Sequence, residues 1–191
     1  GCDADGFASL LEPAAGYFAS GFRGVVVGRE RLVGLVKSER HCIAPNPNGS
    51  QRPGGNAPTV EVGTDAQGVF GTVKIGDIAQ YQDRYVHTAD GWKFAARTVV
   101  TTAEREAGLD AKEMLAIQAL SSDIKVADHY DTDKESGVRR FLSSGVVILV
   151  RDGVVNGRVY LEDGSHYADV YERTASGQWR IKSRELVAAA Q

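Results

Sequence analysis

Apolar and polar residues alternate at period two in two well-separated stretches. Val73 and Ile75, then Tyr81, Asp83 and Tyr85, follow the spacing of a half-buried strand. "TADG" at 88–91 and "TASG" at 174–177 are turn signals between strand patterns. A further strand precedes each: "TVEVGT" in one, "GVVILV" in the other. Each stretch therefore reads as an antiparallel meander of three or four strands. A different period governs residues 110–130, where Met114, Ile117, Leu120 and Ile124 make one apolar stripe of a helix. Asp110 is its expected N-cap, with Glu113 completing a capping box. Residues 1–40 hold "FASLLEPAAGYF", a short strand "GVVVG" and a short helix "RERLVGLVKSE"; turn formers at 44–58 predict a loop.

The two meanders repeat one another. "GTVKIGDIAQYQDRYVHTADGWKFAAR", from Gly71, aligns with "GRVYLEDGSHYADVYERTASGQWRIKSR", from Gly157, with one single-residue gap. Glycine, Tyr-x-Asp-x-Tyr, Thr, Trp and a closing Arg coincide. Two copies fall short of a solenoid. Trp92 and Trp179 are expected as core anchors. The matched Asp83 with Arg97, and Asp169 with Arg184, are expected to play the same local role.

Asp128 falls four residues after Ile124, on the same stripe. It is either a helix-end residue reaching solvent or a backbone group, or a partly buried carboxylate suited to acid-base work. His87, His129 and His166 form no recognisable ligand set with His41, and no metal or cofactor is expected.

The pattern Y-x-D-x-Y…T-x-x-G-W-x-F-x-x-R, preceded by "GRERL" and "RH", resembles the SnoaL-like branch of the nuclear transport factor 2-like superfamily. The resemblance covers residues 3–100, and 112–187 in part. It implies an α+β cone, a strongly bent antiparallel sheet around helices with a pocket inside. It also implies two parts: residues 1–104 as a SnoaL-like domain lacking its usual first helix, and 105–191 as a helix plus a partial second meander. Scytalone dehydratase, ketosteroid isomerase and polyketide cyclases belong to this superfamily, as do binding modules without catalysis.

By that resemblance His41 stands where the family's dyad histidine does, and Arg97 matches the arginine after the Trp-x-Phe strand. The dyad aspartate would lie before "FASLL", and counting back from Ala8 runs off the chain; Asp3 and Asp5 are too close. Either helix 110–130 supplies the missing helix, or that helix lies upstream. On the first arrangement Asp128 partners His41. His41 would abstract a proton, Arg97 would stabilise the developing anion, and Tyr81, Tyr85 and Phe18 would hold the substrate. The implied activity is a cofactor-independent lyase or isomerase acting on a small, largely apolar molecule. The alternative is a non-catalytic small-molecule-binding or assembly protein. His41 as a helix cap, and Arg97 as a strut to Asp83, are the bland readings of the same residues.

The composition suits a globular chain, with net charge -3 and 25% charged residues. No basic patch points to nucleic acid and no apolar run reaches membrane-span length. A homo-oligomer through the sheet is expected. Cys2 and Cys42 are expected as free thiols, and Gly1-Cys2 would also fit a lipoprotein cleavage point. Cytoplasm and cell envelope both stay open.

Overall fold

The computed structural model describes residues 2–39, 59–132, 134, 137 and 139–189. His41 and Cys42 lie outside them. Cys2 is disulfide-bonded, where free thiols were expected.

The expected α+β cone is not found. Among the described residues, twelve strands form one eight-stranded mixed sheet and one four-stranded sheet. The first meander is β3 (Val60–Asp65), β4 (Gly68–Ile75), β5 (Ala79–Thr88) and β6 (Gly91–Thr101). β1 (Tyr17–Ser20) joins β6 in parallel, and β2 (Gly24–Val27) pairs back on β1. β7 (Asp128–Thr132) and β8 (Arg139–Ser144), from the second half of the chain, complete this sheet. Its order is β3-β4-β5-β6-β1-β2-β8-β7. The second meander stands alone: β9 (Val146–Arg151), β10 (Val154–Tyr160), β11 (His166–Arg173) and β12 (Trp179–Val187).

Four short helices are seen among the described residues: α1 (Ala4–Ser9), α2 (Arg29–Lys37), α3 (Thr102–Glu106) and α4 (Ala111–Ala119). None is long enough to fill a cone. The helix expected over 110–130 stops at Leu120. Ser121, Ser122 and Asp123 follow, and such short polar side chains compete for the backbone of a helix. Ile124 then donates its N–H to Ser121 O at 3.1 Å, in a turn. The stripe is still a buried face: Met114 and Ile117 are in the core, with Leu120 and Ile124 packed against it. Asp110 caps α4 by accepting from the Glu113 N–H at 2.8 Å. Glu113 does not return the bond, because its carboxylate is drawn to Trp179 and Arg173. The reciprocal capping box is instead Thr101 with Glu104, on α3.

Two cores result. α4 packs with Val146, Ile148, Val155, Val159 and Tyr171 of the second meander. α1 and α2 cover the β1, β2 and β8 part of the large sheet, through Ala8, Leu32, Leu35, Val26 and Phe141. No helix among the described residues is long and apolar enough to cross a membrane.

Candidate functional site

The repeated residues build one strut twice. Asp83 pairs across the strands with Arg97, and Asp169 with Arg184. Arg97 donates from Nε and Nη2 to Asp83 at 2.9 and 2.8 Å. Arg184 donates likewise to Asp169, at 2.7 Å from each nitrogen. Both aspartates are 2% exposed. A carboxylate so deeply buried needs its partner, since a lone charge there would be costly. Tyr85 and Tyr171 each donate an O–H to the same aspartate, at 3.2 and 3.0 Å. Each strut adjoins an irregularity in strand register, at Arg84/Tyr85 and at Val170/Tyr171. The matched glycines are steric. A Cβ on Gly71 would lie 2.7 Å from the Tyr85 hydroxyl, and one on Gly157 2.5 Å from the Tyr171 hydroxyl.

These neighbours set the ionisation of the strut. Burial opposes the Arg97 charge, but the Asp83 hydrogen bonds and charge outweigh it and raise its pKa. Bonding to Asp169 does the same for Arg184. Burial first, then the adjacent aspartate, raises the pKa of Tyr85 and, far more, of Tyr171. All four groups hold their ordinary protonation state at neutral pH.

The proposed site residues divide. Phe18, Tyr81, Tyr85 and Arg97 share one face of the large sheet. There Arg97 lies between the Tyr81 and Phe94 rings, at 4.3 and 4.2 Å. Phe18 packs edge-on against Phe7 of α1, both part-buried against the core. Asp128 is elsewhere. It sits on β7 at the edge of the sheet, not on a helix, and accepts from Arg31 Nε and Ser144 Oγ, both at 2.9 Å. Three strands separate β7 from β6. At a strand spacing of about 4.8 Å, Asp128 and Arg97 stand roughly 19 Å apart along the sheet. They do not form one constellation. The His41 proposal lies outside the described residues. Trp179 is part-buried, but Trp92, expected as a core anchor, is 59% exposed.

Sequence reasoning missed the cleft on the opposite face of the first meander. It measures about 530 Å³ and lies between that face and the start of α4. Register places Tyr17, Phe70, Arg84 and Ala96 in one row across its floor, with Thr72, Gln82 and Thr98 in the next. Gln82 Oε1 accepts from the Ala111 N–H at 2.9 Å and so ties the floor to the helix start. Arg84 donates to Asp65 at 2.7 Å. That bond holds the Asp65 pKa down and the Arg84 pKa up. Burial raises the Tyr17 pKa against the opposing Arg84 charge, so Tyr17 remains a neutral donor. Thr98 is 1% exposed, and its hydroxyl has no hydrogen-bond partner among the described residues. A period-two pattern with polar residues on both faces, as in "QYQDRY", is the signal that could have found it.

A second cleft of about 580 Å³ lies beside α2, with Arg31, Lys37, Asp128, Tyr130, Arg139 and Arg140 in its lining. Most of its charge is already engaged: Arg31 with Asp128, Arg140 with Asp131, and Arg139 over the Tyr130 ring at 3.8 Å. Among the described residues no group of three His, Cys, Asp or Glu is arranged to hold a metal ion.

Comparison with known protein families, characterised proteins and solved structures finds no match to this chain.

Proposed function

We propose that this is a non-catalytic binding protein whose small-molecule site is the cleft between the first meander and the start of α4. The observation that carries this reading is the doubled strut. Arg97 is held by Asp83 as Arg184 is held by Asp169, and the second strut has no histidine counterpart in the repeat. An arginine serving the same bond in both copies is accounted for by architecture. The cleft offers groups that orient a ligand: the Tyr17 hydroxyl, the Arg84 guanidinium and the Gln82 amide, with Phe70 and Leu115 as apolar surface. The shifts of Tyr17, Asp65 and Arg84 all lead away from neutrality. Such groups bind and orient; a proton-transfer group works best near the operating pH. The lining favours a ligand with hydrogen-bond acceptors over the largely apolar molecule that the family resemblance implies.

A lyase or isomerase based on His41 is the second reading. It is favoured by one observation, the convergence of Phe18, Tyr81, Tyr85 and Arg97 on one face.

Amide chemical shifts of the labelled protein, followed against a library of small carboxylates and amides, separate the two. Binding in the cleft moves the amides of 70–72, 82–84, 96–98 and 111–112, and is lost in Arg84→Ala. Shifts centred on Phe18 and Tyr81, lost in His41→Ala and accompanied by turnover, would overturn the cleft reading for the second.

A further inference from the structure

We propose that the face of the first meander opposite the cleft docks an amphipathic helix of a partner protein, one that presents an apolar stripe and a carboxylate. The second meander shows what such a face is built to receive. Register makes the positions equivalent: Val60 pairs with Val73 as Val146 pairs with Val159, and Val62 with Gly71 as Ile148 with Gly157. Val146 and Ile148 are 6% and 1% exposed beneath α4. Val60 and Val62 are 54% and 66% exposed. Val60 and Val62 lie side by side on the edge strand β3 and Trp92 lies three strands away on β6, so both ends of this face carry exposed apolar surface of the kind that marks an interaction site.

The polar contacts repeat the lesson and define the occupant. In the second meander the Glu113 carboxylate of α4 accepts from Trp179 Nε1 and pairs with Arg173 Nη2 at 3.0 Å. Trp179 and Arg173 face each other across the strands, as Trp92 and His87 do in the first meander. The Trp92 and His87 rings meet at 5.1 Å, yet Trp92 Nε1 has no acceptor among the described residues. An incoming carboxylate would complete this pair as Glu113 completes its twin. Arg184 also donates to Ser121 Oγ, just past α4, at 2.8 Å. Among the described residues Arg97 bonds only Asp83. The occupant is thus a helix of α4's type: apolar residues at i and i+3, preceded by an acid. This inference stands apart from the cleft, which lies on the other face.

The probe is the capped, fluorescein-labelled peptide LDAKEMLAIQALSSDI, residues 109–124 of this chain. Its fluorescence anisotropy is followed on titration with the full chain. Saturable binding is expected, at least tenfold weaker to Val62→Glu and to Trp92→Ala. Both sites are exposed, so circular dichroism should show each variant folded. Glu61→Lys, on the other face of β3, should bind as the native chain does. A peptide carrying Glu113→Gln should bind several-fold more weakly. Three outcomes overturn the proposal. One is no saturable binding at millimolar concentration. Another is equal binding to Val62→Glu. The third is a concentration-dependent dimer in sedimentation that Val62→Glu abolishes, which would make the occupant a second copy.

Discussion

The first and second meanders place the same aspartate, arginine, tyrosine and glycine at the same register positions, but among the described residues only the second has a helix laid across them. Below α4, Ile148, Val159 and Tyr171 are sealed, and Trp179 gives its N–H to Glu113. In the first meander α1 and α2 sit further along the sheet, over β1, β2 and β8, and leave Val62 and Trp92 exposed. A repeated motif therefore fixes a local architecture without fixing what covers it. Cover comes from residues outside the repeat, which here differ between the halves.

The largest effects should come from the struts, and they should be equal. Asp83→Ala and Asp169→Ala each strand an arginine and a tyrosine hydroxyl, and breaking a buried pair in this way costs about 3–5 kcal/mol. Urea unfolding measures both; a cost below about 1 kcal/mol at one site alone would break the equivalence of the copies. The next pair should differ sharply. Ile148→Ala removes buried methyl groups under α4 and should cost about 2–4 kcal/mol, whereas Val62→Ala should stay within about 0.5 kcal/mol. Similar costs would mean that the first face is covered after all.

Gly71→Ala and Gly157→Ala drive a methyl group into a tyrosine ring. Overpacking of this kind costs about 1–3 kcal/mol. The larger loss is expected at Gly157, because α4 pins Tyr171 while Tyr85 has room to shift.

The alternation of the strands, both hairpin turns, the Asp110 cap and the Asp83–Arg97 bond were all legible in the chain. Each rests on neighbours in sequence or on one short hairpin. The parallel pairings of β1 with β6 and of β2 with β8 were not legible, since they join segments far apart and leave no local mark. The end of α4 was misjudged because the apolar stripe continues to Ile124 after the backbone has left the helix. That error carried Asp128 onto a helix, when its true place is opposite Ser144 on β7. The exposure of Trp92 is likewise set by tertiary cover, and its twin is half-buried.

The smallest effect concerns the seam between the halves. His129, on β7, stacks on Tyr160 of the second meander with ring centres 4.0 Å apart. Burial lowers its pKa, Arg158 and His166 add to this, and Asp131 opposes them. As pH falls, the unfolded chain takes up the proton first. The stabilisation is therefore complete above about pH 6.5 and declines below it, until the folded histidine is protonated as well. Melting temperature should fall between pH 7 and 5.5, and less steeply in His129→Phe, which keeps the stacking. Carboxylates such as Asp131 and Asp163, whose pKa values are lowered in the fold, keep their stabilising contribution across this range and lose it only at lower pH.

The chain has two tryptophans, one in each copy. Acrylamide quenching of the single-tryptophan variants Trp179→Phe and Trp92→Phe reads the cover over each face directly. Trp92 should be quenched several-fold more efficiently than Trp179. Equal quenching of the two would contradict the claim that the copies share a strut and differ in what lies over it.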